Sequence, residues 1–319
     1  MKAEDFEQEL TRSETATGFV VLLDALGVRT MSGEDIARFM EQRRFVLSLL
    51  REILPALNRY RSEERLAQAA GVPDLMVFGD TFAITWAAPS PHPYTFLREL
   101  QEFASAISYV VALAFISGLR LRGALAYGEF YFDTNVVVGP AVADAATWYE
   151  QAQWMGVIAT PETETAIATA LDDPTALTPD PEENLGSIQD LLLPLRQDFV
   201  RMFLPSYAVP LRDGSTNAMM CVNWPYSLFC LGPDITSLTG DHVSTFFQRK
   251  LDAFTRPTSA ESKYENTASF YEFCARHTSQ LESRSFALAL QRTITSDTPL
   301  DWFASFLKRY AIPEPSITA

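Results

Sequence analysis

The sequence predicts an α+β protein in which helices cover a mixed, mainly antiparallel β-sheet. Short apolar runs typical of strands come in pairs separated by turn residues, and long stretches with helical spacing of apolar residues lie between them. This order differs from the strict alternation of a doubly wound parallel sheet. After position 225 only helical spacing remains. We therefore expect a lead-in at 1–17, a sheet-and-helix domain at 18–225 with a surface loop at 172–187, and a helical C-terminal extension at 226–319.

The first strand and the helix after it have the clearest local signals. Phe19–Leu23 is a continuous apolar run, as in a strand buried on both faces, and it ends at Asp24. Ser32 followed by Asp35 predicts a helix start, because a hydroxyl group and an acid suit the first turn. Apolar residues then recur at helical spacing, and Pro55 predicts an end or a kink.

A tight hairpin is expected after this helix. Leu75–Phe78 and Thr81–Trp86 are β-prone runs separated only by Gly79 and Asp80, a dipeptide that favours a two-residue turn. Downstream, the pattern predicts helices at 95–116, 141–153, 188–204, 244–254, 267–281 and 299–310, strands at 119–132, 136–138 and 156–160, and a last hairpin at 207–211 and 218–224.

Composition excludes several classes of protein. The 319 residues are 47% hydrophobic and 20% charged, a globular balance with enough apolar material for a sizeable core. The formal net charge of −15 has the wrong sign for neutralising nucleic-acid phosphates, so no nucleic-acid partner is expected. The motifs of Walker-type phosphate loops, zinc proteases and serine hydrolases are absent.

The sequence also predicts a cytoplasmic protein without a membrane span. The N-terminus lacks the basic start and apolar run of a secretory signal, and the longest apolar run, at 109–116, is too short to span a bilayer. Three cysteines without a CxxC motif are typical of buried thiols in a reducing compartment.

Asp24 ends a strongly apolar strand, and Asp80 lies at the tip of a hairpin between two apolar strands. If those strands are neighbours, both carboxylates emerge at the same end of the sheet and repel each other unless a cation lies between them. Oxygen ligands of this kind suit magnesium or manganese, and the turn at 25–28 could present backbone N–H groups to phosphate. The residues themselves leave a second interpretation open, because aspartate is also common in turns.

Four segments resemble, in the correct order, the motifs of the class III nucleotidyl cyclases. They are Phe19–Gly27, Phe78–Ala83, Arg122–Glu129 and Gly139–Ile158. The resemblance covers about residues 18 to 224. It implies a class III cyclase-like, ferredoxin-like or palm fold for a catalytic domain at 18–225, with sites between the two chains of a homodimer.

The resemblance also implies a two-metal mechanism, in which the ribose 3′-hydroxyl attacks the α-phosphorus and pyrophosphate leaves. The implied ligands of two Mg²⁺ or Mn²⁺ ions are Asp24, Asp80 and the backbone carbonyl of Ala25. The implied phosphate-binding backbone is that of Leu26, Gly27 and Val28.

The departures from the family pattern concern base selection and charge stabilisation. Met76 and Val136 occupy the positions of the adenine-selecting lysine and its acidic partner, which argues against ATP. Ala143 and Thr147 occupy the positions of the transition-state asparagine and arginine, so turnover would require another cation. Arg44, on the helix after the phosphate turn, is a further candidate for the base pocket.

In its core motifs and its altered base-recognition positions, the chain resembles the bacterial pyrimidine nucleotide cyclases of Pycsar anti-phage systems. That similarity implies conversion of UTP, or less readily CTP, to a 3′,5′-cyclic nucleotide that activates a separate effector protein. Three alternatives stay open: a degenerate cyclase that binds nucleotide or depends on a partner, another enzyme on a palm-like sheet, and an interaction protein that uses its C-terminal helices.

Overall fold

The computed structural model describes residues 14–28, 31–63, 74–88, 90–133, 136–177, 196–228, 240–254 and 261–282. The expected helix at 299–310 and the first thirteen residues lie outside this part of the chain. The strands are β1 (Glu14–Ala25), β2 (Asp74–Phe78), β3 (Thr81–Ala87), β4 (Leu121–Asp133), β5 (Val136–Val138), β6 (Gly156–Ala159), β7 (Ser206–Pro210) and β8 (Thr216–Met220). The helices are α1 (Gly33–Glu63), α2 (Pro93–Ser117), α3 (Pro140–Trp148), α4 (Pro161–Asp172), α5 (Arg196–Phe203), α6 (Gly240–Ala253) and α7 (Glu261–Glu282).

The main sheet has six strands, with β1 near its centre. Its order is β2-β3-β1-β4-β5, all antiparallel, and β6 pairs with β4 in parallel. The predicted α+β class with a mixed, mainly antiparallel sheet is therefore confirmed. The first six elements of the chain follow the order strand, helix, strand, strand, helix, strand.

The apolar run of β1 places it between two layers, because alternate side chains of a strand point to opposite faces. Phe19, Val21 and Leu23 belong to the large core that α1 and α2 help to form. Val20 and Leu22 belong to a smaller core on the other face, to which α3 contributes alanines. Both faces of β1 are thus buried, as its uninterrupted hydrophobicity predicts.

Several element boundaries differ from the prediction. Helix α1 does not end near Pro55 but runs through it to Glu63. Helix α3 ends at Trp148, five residues before the predicted end. The predicted surface loop at 172–187 begins with the end of α4 and a 3₁₀ turn at Pro174–Leu177, and its remainder lies outside the described residues.

Helix α4 was not predicted at all, although its start carries a recognisable signal. Thr160 is its N-cap, with the Thr160 hydroxyl accepting a hydrogen bond from the Thr163 backbone N–H, and Pro161 begins the helix. The late hairpin of β7 and β8 forms as predicted, but it is a separate two-stranded sheet.

The apolar run at 109–116 lies inside α2, which is longer than the run. Among the described residues α2 is the one helix long and apolar enough to cross a membrane by length and composition, and 67% of its most apolar window is buried inside the fold. Its Phe96 and Phe103 rings pack against Phe19 of β1, with centroids 5.5 and 5.8 Å away. A core helix passes the same test, and these contacts are those of a core helix.

Helix α7 of the C-terminal extension is anchored to the segment before β6. The Thr267 hydroxyl accepts a hydrogen bond from the Met155 backbone N–H at 2.9 Å, and the Asn266 side chain donates to the Gln153 carbonyl at 2.8 Å. The rings of Trp154 and Phe270 meet edge to face, with centroids 4.1 Å apart. The extension therefore packs directly on the sheet domain.

Substitution of Gly18 by alanine should destabilise the protein, because β1 and β3 approach each other too closely there for a side chain. A Cβ at Gly18 would lie 2.1 Å from the Trp86 carbonyl oxygen and 2.7 Å from the Ala88 backbone nitrogen, and backbone atoms of a paired strand cannot yield. We expect a loss of about 3 kcal/mol in the free energy of unfolding, measured with urea. Gly33→Ala is the control, since nothing lies within 4 Å of its Cβ position; equal stability of the two variants would contradict the prediction.

Candidate functional site

Backbone pairing brings Asp24 and Asp80 to the same end of the sheet. Asp24 is paired with Thr81 of β3, the residue that follows Asp80 in the hairpin turn. The Ala25 backbone N–H donates to the Asp80 carbonyl at 3.2 Å, which ties the turn after β1 to the hairpin turn. Burial is the main cause that raises the pKa of Asp24, and the negative charge of Asp80 adds to it. Strands β1 and β3 are therefore neighbours, as the candidate site requires.

Arg122 of β4 lies opposite Asp24 and forms an ion pair with it. The Asp24 Oδ2 accepts hydrogen bonds from Nη2 of Arg122 at 3.1 Å and from Nε at 3.3 Å. Both side chains are mostly buried, with 14% of the Asp24 side chain and 12% of the Arg122 side chain exposed. Burial raises the pKa of Asp24, and the Arg122 guanidinium opposes that shift. The ion-pair partner of Arg122 is therefore a candidate catalytic residue.

Further charges surround this ion pair. Glu150, just beyond the end of α3, lies 3.8 Å from Arg122 and 3.1 Å from Arg212 of the β7–β8 turn. Lys263 of α7 joins them from the C-terminal extension: burial lowers its pKa, as do Arg122 and Arg212, while Asp24 and Glu150 oppose the shift. Residues distant in the sequence thus share one partly buried electrostatic network.

The turn after β1 supplies fewer backbone donors than expected. The Leu26 backbone N–H donates to the Arg120 carbonyl at 2.8 Å, so this amide is used by the fold and does not face a phosphate. Gly27 has a φ of 88°, a conformation that favours glycine, and its Cβ position would lie 2.9 Å from Nη2 of Arg120. The Val28 carbonyl accepts a hydrogen bond from the Met31 backbone N–H at 3.2 Å. A phosphate at this turn would therefore meet Gly27, Val28 and the Arg120 guanidinium.

The candidate base-pocket residues are far apart within one chain. Met76 of β2 is buried on the same face as Leu22, in the smaller core. Val136 of β5 is 43% exposed, and four strand spacings, about 19 Å, separate β5 from β2. Arg44 is exposed on α1, whereas its neighbour Arg43 donates to the Gly79 carbonyl at 3.0 Å. One chain does not bring Met76, Val136 and Arg44 into a common pocket.

The positions that correspond to the transition-state residues lie on the surface of α3. Ala143 and Thr147 are both exposed, and the Thr147 hydroxyl donates to the Ala143 carbonyl at 2.9 Å, one helical turn back. Neither side chain carries a charge. Stabilisation of a negatively charged transition state would therefore have to come from elsewhere.

The donor set at this end of the sheet is compatible with magnesium or manganese. Asp24 and Asp80 are two carboxylates close enough to repel each other, and Mg²⁺ is commonly held by one or two carboxylates together with water and substrate phosphates. Within the described residues there is no group of three or more histidine, cysteine, aspartate or glutamate side chains that could hold a metal without a substrate. An incoming ion would also have to compete with Arg122 for Oδ2 of Asp24.

Four charged residues of the site were not recognised as such from the sequence. Arg122 could have been found by assuming antiparallel pairing of β1 and β4 with Asp24 opposite it, since that register places the two side chains on one face. Arg120, Glu150 and Lys263 reach the site through turns and through a C-terminal helix, for which no local sequence signal exists.

Arg122→Gln should lower stability at neutral pH and should do so less in acid. The variant leaves a buried carboxylate without its cation, a loss of up to about 3–5 kcal/mol. Because the pKa of Asp24 is raised by burial, and would rise further without Arg122, protonation relieves this loss as the pH falls below neutral. The measurement is urea unfolding at neutral and mildly acidic pH in the presence of a chelator.

Arg212→Gln is the matched control for this prediction. Its ion pair with Glu150 also spans 3.1 Å, but the Arg212 side chain is 64% exposed, so its loss should change the unfolding free energy by less than about 1 kcal/mol. If Arg122→Gln lowers the free energy of unfolding by the same amount at both pH values, Asp24 is not the carboxylate that loses its partner.

Comparison with protein-family models and curated sequences adds no relative to this picture. No protein-family model matches the chain, and no curated protein sequence gives a significant match. The arrangement of Asp24, Asp80, Arg122 and the turn at Gly27 is therefore the basis on which a function is proposed.

Proposed function

We propose that the protein is a pyrimidine nucleotide cyclase that converts UTP, or less readily CTP, to the 3′,5′-cyclic nucleotide and pyrophosphate. The observation that carries this proposal is the direct linkage of two acid-bearing turns: the Ala25 N–H bonds the Asp80 carbonyl, with Asp24 beside it and Gly27 two residues on. This arrangement places two carboxylates next to a glycine turn, as a metal-bound triphosphate requires.

The topology of the sheet supports the same proposal. Strand, helix, strand, strand, helix, strand with the order β2-β3-β1-β4 is the split βαβ, or ferredoxin-like, arrangement. A class III cyclase-like domain has this arrangement, with the two acids on its central strand and adjacent hairpin. The fold alone does not choose a reaction, because this topology hosts many functions.

The residues of the chain divide the work as follows. Asp24, Asp80 and the Ala25 carbonyl would hold Mg²⁺ or Mn²⁺, and the chemistry that such ions supply is activation of the ribose 3′-hydroxyl and neutralisation of the triphosphate. Arg122 opposes the effect of burial on Asp24 and so helps to keep this carboxylate ionised. Gly27 allows the turn its φ of 88° and leaves room for the Arg120 guanidinium, which lies against the turn where a phosphate would bind.

The base-recognition positions support a pyrimidine substrate. Met76 is a buried thioether and Val136 an aliphatic side chain, so neither offers the strong donor and acceptor pair that would read adenine. Because these two residues are far apart in one chain, we propose that the base is bound between two chains of a homodimer. Two apolar residues at opposite margins of the sheet are exposed, Phe78 to 48% and Val138 to 50%. A second chain could cover these surfaces.

In this proposal the product is a cytoplasmic second messenger that a separate effector protein recognises during anti-phage defence. The role in anti-phage defence and the effector protein depend on the resemblance to the pyrimidine cyclases of Pycsar systems alone. A separate effector would leave no trace in the residues of the candidate site.

The test is product analysis with each nucleotide. Purified protein is incubated with Mn²⁺ and ATP, GTP, CTP or UTP separately, and cyclic products are identified by mass spectrometry. We expect cyclic UMP, or cyclic CMP, and a loss of at least about 100-fold in Asp24→Ala and in Asp80→Ala, because each removes a carboxylate ligand. Asp172→Ala, at the exposed end of α4, is the control and should retain activity. Normal turnover by Asp80→Ala would overturn the metal assignment.

A second candidate is a degenerate cyclase that binds nucleotide or pairs with a catalytic partner. The neutral, exposed Ala143 and Thr147 favour it, because these positions supply no charge to a transition state. It predicts that UTP with Mn²⁺ raises the melting temperature while none of the four nucleotides is converted. A protein that neither converts nor is stabilised by any nucleotide would contradict both candidates and favour an interaction protein.

A further inference from the structure

The side chain of Arg120 lies directly on the turn that is proposed to bind phosphate. Arg120 precedes β4, and its carbonyl accepts the Leu26 backbone N–H at 2.8 Å. Its guanidinium group crosses Gly27, with Nη2 2.9 Å from the Cβ position that any other residue would have there. The chain therefore places a permanent positive charge against the one residue of the turn that has no side chain.

Two aromatic residues of the C-terminal extension hold this guanidinium in place. The Tyr264 hydroxyl of α7 accepts a hydrogen bond from Nη1 of Arg120. Phe254, just after α6, presents its ring to the guanidinium carbon at 5.6 Å, a cation–π distance. Both aromatic residues lie outside the segment that resembles a cyclase, and Tyr264 lies two residues before Asn266, which anchors α7 to the sheet domain.

We propose that Arg120 binds the triphosphate of the nucleotide at the Gly27 turn, and that Tyr264 and Phe254 make the C-terminal extension part of the nucleotide site by orienting the Arg120 guanidinium. This inference rests on the proposed function and names a residue that lies outside the four segments resembling the cyclase motifs. A guanidinium held in one orientation is suited to phosphate oxygens, because its planar fork can donate two parallel hydrogen bonds.

The surrounding charges support this role. Ala143 and Thr147 bring no cation to the site, and Arg122 is paired with Asp24 and Glu150. The positive charge of Arg120, two residues before Arg122 in the chain, also contributes to lowering the pKa of Asp35 of α1, which is lowered mainly by hydrogen bonds from Ser32. Lys263, the neighbour of Tyr264, brings a second positive charge from α7 towards the network of Asp24 and Glu150.

The test is binding of inorganic triphosphate with Mn²⁺, measured by titration calorimetry, in variants of the full chain. Arg120→Gln should weaken binding by about 10- to 100-fold, because it removes a charge-assisted contact, and Arg120→Lys should restore part of the loss. Tyr264→Phe keeps the ring and removes only the hydroxyl that orients Arg120, so we expect a loss of about 3- to 10-fold.

Tyr271→Phe is the matched control on the same helix. It makes the same chemical change, but the Tyr271 hydroxyl bonds Ser244 and the Tyr271 ring stacks on Phe247, so triphosphate binding should not change. Melting temperatures of all variants show whether each is folded. As a second readout, Tyr264→Phe should raise KM for UTP more than it lowers kcat.

The outcomes separate this inference from the proposed function. If the unmodified protein binds triphosphate and the folded Arg120→Gln and Tyr264→Phe variants bind it equally well, the role of Arg120 is refuted and the cyclase proposal stands. If the two tyrosine variants lose the same affinity, the effect is a general one of α7 and the orienting role of Tyr264 is refuted. If the unmodified protein binds no triphosphate, the inference fails, and the cyclase proposal is decided by the product analysis with the four nucleotides.

Discussion

The ion pair between Asp24 and Arg122 is the interaction on which the arrangement of the site depends. A carboxylate at the end of the central strand is expensive to bury, and the pairing of β1 with β4 supplies a cation directly opposite it. Once Asp24 is held there, its register with Thr81 fixes where Asp80 lies, and the next residue ties the two turns together. The geometry of the candidate site therefore follows from the register of three neighbouring strands.

The network also explains how the fold holds Asp24 close to the carboxylate of Glu150 before any ligand binds. Arg122, Arg212 and Lys263 offset part of the negative charge of Asp24 and Glu150 at this end of the sheet. The same compensation means that a metal ion would enter a site already partly neutralised. Binding would thus depend on the phosphates that arrive with the ion and on a rearrangement of the contact between Arg122 and Asp24.

Sequence patterns predicted those features that depend on a few consecutive residues. The apolar run ending at Asp24 and the hairpin around Asp80 were located correctly, because burial on two faces and a two-residue turn leave local signals. The distance between Met76 and Val136 was not foreseeable, since it follows from a strand order that places β2 and β5 at opposite margins of the sheet. Helix α4 was overlooked because its β-branched threonines weaken the helical pattern, although Thr160 and Pro161 mark its start.

The contact between Arg120 and Tyr264 has a consequence for the order of events during biosynthesis. It joins residues 144 positions apart, and the tyrosine lies in the last helix that the structure describes. Because a chain emerges from the ribosome at about 5–20 residues per second, the sheet domain is complete several seconds before Tyr264 is available. During that interval the Gly27 turn exists without its oriented arginine. If the extension orients Arg120, a nascent chain would bind its substrate more weakly until synthesis has passed this helix.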